Sequence, residues 1–269
     1  MSTISVIIPT WNRADTLKRA VTSVLNQTYP IAEILVCDDG STDNSKQSVL
    51  ELNDERIKWL DGIHAGLPSI PRNRGISTSK GEWLAFLDND DEWLPNKIEK
   101  QLQFASQKNT SAVSSNAYRI ISGNKIQQPY LNNQVEILSF DQLIKNNYII
   151  CSSVLLKRNL FDLVYGFPEA LELKAIEDYA LWLRVATQTD FAYIKEPLVK
   201  YFDAPEQSIR ANNISVLQQR KIILNDLLVW IEKIPSLKKS KYNNMVKLEI
   251  KKVRKMTNGG IFSLFQRKK

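Results

Sequence analysis

Histidine is almost missing from this 269-residue chain, with His64 the one example, and cysteine is limited to Cys37 and Cys151. That scarcity argues against zinc chemistry of the usual His/Cys kind and against a disulfide framework; both cysteines sit in apolar runs ("EILVCDD", "YIICSSVLL"), where reduced core thiols are expected. No stretch approaches the ~18 consecutive apolar residues of a membrane-spanning helix. The opening "MSTISVIIPTWNR" lacks the basic segment and small-residue cleavage site of a secretion signal, so the expected location is the cytoplasm. Internal repeats and low-complexity tracts are also missing. What is present, 43% hydrophobic residues, is enough for a sizeable core in one large domain or one domain with an appendage.

The formal charge of +7 is unevenly spread. Residues 211–269 carry a net +11, with 14 Lys/Arg against 3 Asp/Glu, which leaves residues 1–210 at −4. A slightly acidic body argues against nucleic acid as partner, and a basic tail suggests contact with an anionic surface.

Along the first hundred residues, β-rich runs alternate with helical spacing. "ISVII" (4–8), "EILVC" (33–37), "IKWL" (57–60) and "EWLAFL" (82–87) predict strands. Ala14, Leu17, Ala20, Val21, Val24 and Leu25 predict a helix, as do "GSTDNSKQSVLEL", capped by Ser41 or Thr42, and "IPRNRGISTSK" (70–80). Pro95 is placed to open a further helix with Ile98, Leu102 and Ala105 on its apolar face. Strand and helix in alternation imply a mostly parallel sheet with helices on both faces. Beyond residue 110, "AVSSNAYRII", "CSSVLLKR", "FAYI" and "PLVKYF" predict strands; "SFDQLIKNN" (139–147) and "EDYALWLRVATQT" (177–189) predict helices; from about 213 the pattern is helical and basic.

In such sheets ligands bind beyond the carboxyl ends of the strands. Pro9, Thr10 and Trp11, then Asp38 and Asp39, then Asp88 to Asp91 should therefore share one rim. The stretch "FLDNDDEW" sets three acids at the end of a buried run. Two charges about 4 Å apart in a partly shielded site repel by roughly 4 kcal/mol, so something must compensate them. A divalent cation bridging these carboxylates to a diphosphate would do so. Residues two apart on an extended segment share a side, so Asp88 and Asp90 can face one ligand; Asp91 suits a helix cap before Pro95.

These motifs together resemble the family 2 glycosyltransferases, which share the GT-A fold. The matching segments are "VIIPTWNRADTLKRAVTSVLNQTYP" (6–30), "EILVCDDGSTDNS" (33–45), "RNRGISTSKGEWLAFLDNDDEWLPNKIEKQL" (72–102) and "EDYALWLRVA" (177–186). The resemblance implies an α/β, Rossmann-like, mostly parallel sheet flanked by helices. It implies Asp90 as ligand of Mn2+ or Mg2+, Asp88 as a contact to metal or ribose, and Asn89 beside them in the nucleotide-sugar site. Asp39 resembles the acid that accepts a hydrogen bond from the uracil imino group, since a carboxylate prefers a base edge with a donor; the same Asp-Gly-Ser-Thr-Asp stretch is also good turn chemistry, the role left to Asp38. Pro9, Thr10 and Trp11 match positions that present a small residue and an aromatic to the base, and Arg72 an arginine near base or diphosphate. Asp178 of the Glu-Asp pair resembles the catalytic base of a single displacement with inversion, although both acids also suit the dipole of the helix they open. Glu177 is expected either to support the base from behind or to touch the acceptor, while Trp182 reads either as core or as an acceptor platform.

The family's usual Y-R-x-H segment corresponds to "YFDAPEQS" (201–208), without arginine or histidine, which leaves Asp203 as a substitute ligand and His64 as a loop residue. The expectation is a metal-dependent hexosyltransferase that moves a sugar from a UDP-sugar to a saccharide acceptor, polyprenyl-diphosphate-linked, in bacterial surface polysaccharide synthesis. Residues 1–210 would form the catalytic domain, with 1–106 the nucleotide-sugar half and 107–210 the acceptor half, and 211–269 a basic helical extension. Ile261, Phe262, Leu264 and Phe265 near the end suggest peripheral contact with the inner face of the plasma membrane. Two other classes, a glycoside hydrolase and a non-catalytic binding module, share parts of the pattern.

Overall fold

The structure, a computed structural model, describes residues 1–121, 125–129, 131, 135–203 and 214–266, the side chains of 125–129 and 258–266 excepted. The strands are β1 (Ile4–Thr10), β2 (Glu33–Asp38), β3 (Ile57–Leu60), β4 (Trp83–Phe86), β5 (Glu92–Trp93), β6 (Ala112–Ile121), β7 (Lys125–Pro129), β8 (Ile137–Leu138), β9 (Leu155–Lys157) and β10 (Phe191–Phe202). The helices are α1 (Ala14–Leu25), α2 (Ser45–Leu50), α3 (Ser69–Thr78), α4 (Lys97–Lys108), α5 (Phe140–Leu143), α6 (Arg158–Val164), α7 (Glu177–Ala186), α8 (Val216–Lys233), α9 (Pro235–Lys238) and α10 (Lys241–Gln266).

The described strands form one sheet in the order β3-β2-β1-β4-β9-β6-β10-β5, with β7 beside β6 and β8 beside β10. Its first four strands are parallel, as are β6 and β10, and the short β9 runs antiparallel between the two groups. The mostly parallel α/β sheet expected from the alternation is thus found. Its inner strands are apolar on both faces because helices cover both. Ile4, Val6 and Ile8 turn to the face packed by Leu17 and Val21 of α1 and Ile98 of α4. Ile7 turns to the other, shared with α6, α7 and α8. Gly75 lets α3 lie close on the sheet: a Cβ there would stand 2.6 Å from the Cys37 Sγ and 2.9 Å from Ile7.

Several expectations are corrected. The α2 helix begins at Ser45, not after Ser41 or Thr42, because Ser41 is used instead to accept the Asn12 N–H. The runs "FAYI" and "PLVKYF" form one strand, β10, whose register shifts around Pro197, a residue without an N–H for the ladder. "CSSVLLKR" divides into a 3-10 turn (Cys151–Ser153), β9 and the start of α6. Both cysteines are free and buried, and burial pushes the Cys37 thiol up to about 12.

The basic C-terminal helices pack onto the second face. Ile223, Leu224, Leu227 and Ile231 of α8 join the same core cluster as Phe86 and Trp182. Among the described residues no helix is long and apolar enough to cross a membrane. The side chains of Ile261, Phe262, Leu264 and Phe265 lie outside the described residues.

Candidate active site

The carboxyl ends of β1, β2 and β4 open into a cleft of about 480 Å³, closed on its far side by the start of α7 and the end of β10. Of the residues singled out in the sequence, Pro9, Thr10, Trp11, Asp39, Arg72, Asp88, Asn89, Asp90, Glu177 and Asp178 line it, whereas Asp38, Asp91 and Trp182 do not. Local chemistry builds the rim. Asn12 adopts φ +50° after β1, and its Oδ1 accepts the N–H groups of Thr42 and Asp43, joining the first two loops. Asp38 holds its own turn by accepting from the Gly40 and Ser41 N–H groups, so it serves the loop. Gly40 sits at φ +81° with space for no Cβ, which would stand 2.9 Å from the His64 nitrogen.

Asp39 is buried, and its two oxygens each accept a backbone N–H at 2.9 Å, from Ala65 and Gly66. The His64 Nδ1 lies 3.0 Å from Asp39, and the His64 ring stacks on Trp11 at 4.4 Å between centroids. The segment between β3 and α3 is therefore latched onto the expected base site. A carboxylate has about four acceptor positions, so Asp39 retains capacity for one more donor.

The acids after β4 are separated by the fold. Asp88 faces the Arg72 guanidinium at 2.6 Å, and the same guanidinium holds Glu177 at 2.6 Å, so one buried arginine links the fourth strand's loop to α7. Asp90 is held otherwise. Burial first, and then the charge of Asp88, push its carboxyl up to about 6, with Arg13 and Arg19 opposing. Arg19 also donates to the Asp90 carbonyl at 2.7 Å. Asp91 turns away from the cleft and is fully buried: it accepts from the Ser152 hydroxyl at 2.5 Å and from the Phe202 N–H at 2.9 Å. The expected helix cap is thus corrected, since α4 starts only at Lys97 and the acid has better partners elsewhere. Ser152 accepts the Asp88 N–H at 3.0 Å as well, so it braces the whole acidic turn from beneath.

Other expectations shift. Asn89 uses its amide to donate to the Pro9 carbonyl and the Thr10 hydroxyl, which clips two rim segments together. Trp182 is fully buried among Phe86, Phe167 and Phe191, which settles its two readings in favour of core. Glu177 gives one oxygen to Arg72 and its Oε2 is buried without a partner among the described residues, at the wall of the same cleft. Asp203 lines the cleft, yet it accepts from Arg119 at 2.8 Å and is not a bare ligand. No group of three or more His, Cys, Asp or Glu side chains suited to a metal occurs among the described residues. The pair of Asp88 and Asp90 still fits a hard dication, since both offer oxygen and both line one cleft. Sequence reasoning missed Arg13, Lys174, Tyr201 and Phe202 in the lining.

Comparison with known proteins identifies the family and the fold. The sequence profile of the family described as "Glycosyl transferase family 2" matches residues 5–163. A protein of Escherichia coli, "UDP-Glc:alpha-D-GlcNAc-diphosphoundecaprenol beta-1,3-glucosyltransferase WfgD", is 34% identical over 84% of this chain and 86% of its own length. The crystal structure of S. aureus TarS 1-349 with UDP-GlcNAc superposes with a TM-score of 0.74 at 18% identity, covering 94% of this chain and 73% of that one. The mannosyltransferase PcManGT from Pyrobaculum calidifontis, in complex with GDP-Man and Mn2+, gives 0.59 at 16% identity over 92% of this chain and 68% of its own.

Proposed function

Because the chain belongs to glycosyl transferase family 2, we propose that it transfers a sugar from a UDP-sugar to a saccharide acceptor carried on a lipid diphosphate, with inversion, in the making of a bacterial surface polysaccharide. One observation carries the reading. A single cleft gathers a base-reading acid (Asp39), an acidic pair (Asp88, Asp90) and a candidate base (Asp178) from segments up to 139 residues apart in sequence. The WfgD name, with its UDP-glucose donor and diphosphoundecaprenol acceptor, supports the substrate class.

In this reading Trp11 faces the uracil and Asp39 accepts its imino N–H. Asp88 and Asp90 would hold Mn2+ or Mg2+, which when bound offsets the charge that builds on the departing UDP. Asp178 takes the proton of the acceptor hydroxyl as its oxygen attacks the anomeric carbon; the bond from that carbon to the phosphate oxygen breaks, and UDP leaves with the electron pair. Arg72 sets the distance between the two halves, since it holds Asp88 and Glu177 with one fork, and Glu177 directly precedes the base.

Asp178→Asn keeps the shape and removes the base. The expected result is a fall in kcat of about 10²- to 10⁴-fold with UDP affinity unchanged, measured with UDP-glucose and a GlcNAc diphosphate lipid, the product anomer read by NMR. Undiminished turnover in the variant, or a retained anomeric configuration in the parent, would refute the assignment.

A further inference from the structure

A second cleft, of about 300 Å³, lies beside the first and is walled by residues 145–150, by residues 172–179 and by the start of α8. The two clefts share Lys174, Ala175, Asp178 and Tyr201. Asp178 therefore stands at their junction, reachable from both sides. Ala175, at the same junction, is held at φ +67°, a left-handed conformation that a residue with a Cβ adopts only where its surroundings impose it.

The lining of the second cleft is of three kinds. Tyr148, Asn147 and Gln219 supply an aromatic face and amides, the groups that suit the apolar face and hydroxyls of a pyranose. Lys145 and Lys174 supply cations, neither of them in an ion pair among the described residues, whereas Arg220 is committed to Glu249 at 2.6 Å. Ile214 and Val216, on either side of the Ser215 cap of α8, supply apolar surface that is 41% and 78% exposed. Side chains suited to a sugar, a phosphate and a hydrocarbon thus occur together in a cavity that begins at the candidate base.

We propose that this second cleft is the acceptor site and that it takes an amphiphile, a sugar joined through a diphosphate to a lipid chain. The sugar hydroxyl meets Asp178, the diphosphate meets Lys145 and Lys174, and the chain leaves over Ile214 and Val216. The proposal rests on the transferase reading given above and deepens it. It also gives the basic C-terminal segment a part in recognition: Ile214, Val216 and Gln219 lie beyond the residues 5–163 matched by the family profile.

The test is calorimetric titration of the full chain, saturated with UDP, by three probes: a GlcNAc diphosphate with an undecyl chain, the same diphosphate as a methyl ester, and methyl N-acetylglucosaminide. Lys145→Glu and Val216→Ser alter exposed side chains outside the donor cleft. Lys145→Glu is expected to weaken both diphosphate probes roughly tenfold and leave the plain glycoside unchanged, as loss of one charge-assisted contact would. Val216→Ser is expected to weaken only the undecyl probe. Both variants should bind UDP as the parent does. Equal effects on all three probes, or none, with UDP binding intact, would overturn the acceptor cleft while leaving the transferase reading standing. Failure of the parent to bind UDP would overturn that reading itself.

Discussion

Arg72 decides how the acidic turn is tolerated before any substrate arrives. Its side chain is 6% exposed and divides its fork between Asp88 and Glu177. Removing it leaves two carboxylates facing each other's vacated partner, a loss that in buried pairs costs about 3–5 kcal/mol. Arg72→Ala should therefore lower the unfolding free energy measured by chemical denaturation by that order, and Arg72→Lys, a point charge that cannot hold both acids, should recover only part. A second acid, Glu33, predicts the pH response. Burial raises its pKa, but Lys58, Ser5 and the Lys80 N–H donate to it and together bring it below the ordinary 4.5. A lowered folded pKa means that its contribution is present above 4.5 and disappears as the pH falls through the folded value. Melting curves of Glu33→Gln and parent should accordingly differ at neutral pH and converge in acid. At this scale the sequence was informative where chemistry is local and misleading where it is not. Asp91 sits where a helix cap belongs, yet its partner Ser152 is 61 residues away in an apolar run with nothing to mark it.

At the scale of elements, β1, β2 and β4 were legible because both faces are buried and the apolar runs are continuous, whereas the two-residue β5 left no such run. Their boundaries were less so. The β10 strand continues across Pro197 since its partner β6 provides a long parallel edge, a tertiary circumstance no local propensity contains. The same holds for α8, whose helical spacing was evident but whose docking was not. Leu227, fully buried, places α8 in the cluster under α7, and α7 carries Asp178 on its first turn. Leu227→Ala should cost about 2–5 kcal/mol of stability by chemical denaturation, the range for a core leucine that leaves a cavity. A cost under ~0.5 kcal/mol, the range of surface substitutions, would mean that the helix does not support the site's floor.

Across the whole molecule, two faces of one sheet do different work. One face, with α1 and α4, gives a plain hydrophobic core; the other continues without interruption from β1 and β4 through Trp182 into the C-terminal helices. The rim of the first cleft was legible in the sequence because short acidic and glycine-bearing motifs end successive strands, and a parallel sheet brings such ends together. The second cleft was not, since its walls come from segments around 145, 175 and 219 that share no motif and meet only through packing. Titration of UDP into the chain, with and without Mn2+, in parent and Asp90→Ala, bears on the whole account at once. UDP should bind more tightly with Mn2+ present, and the Asp90 substitution should abolish that gain while leaving metal-free binding in place. UDP binding that is indifferent to Mn2+ and to Asp90 would contradict the account.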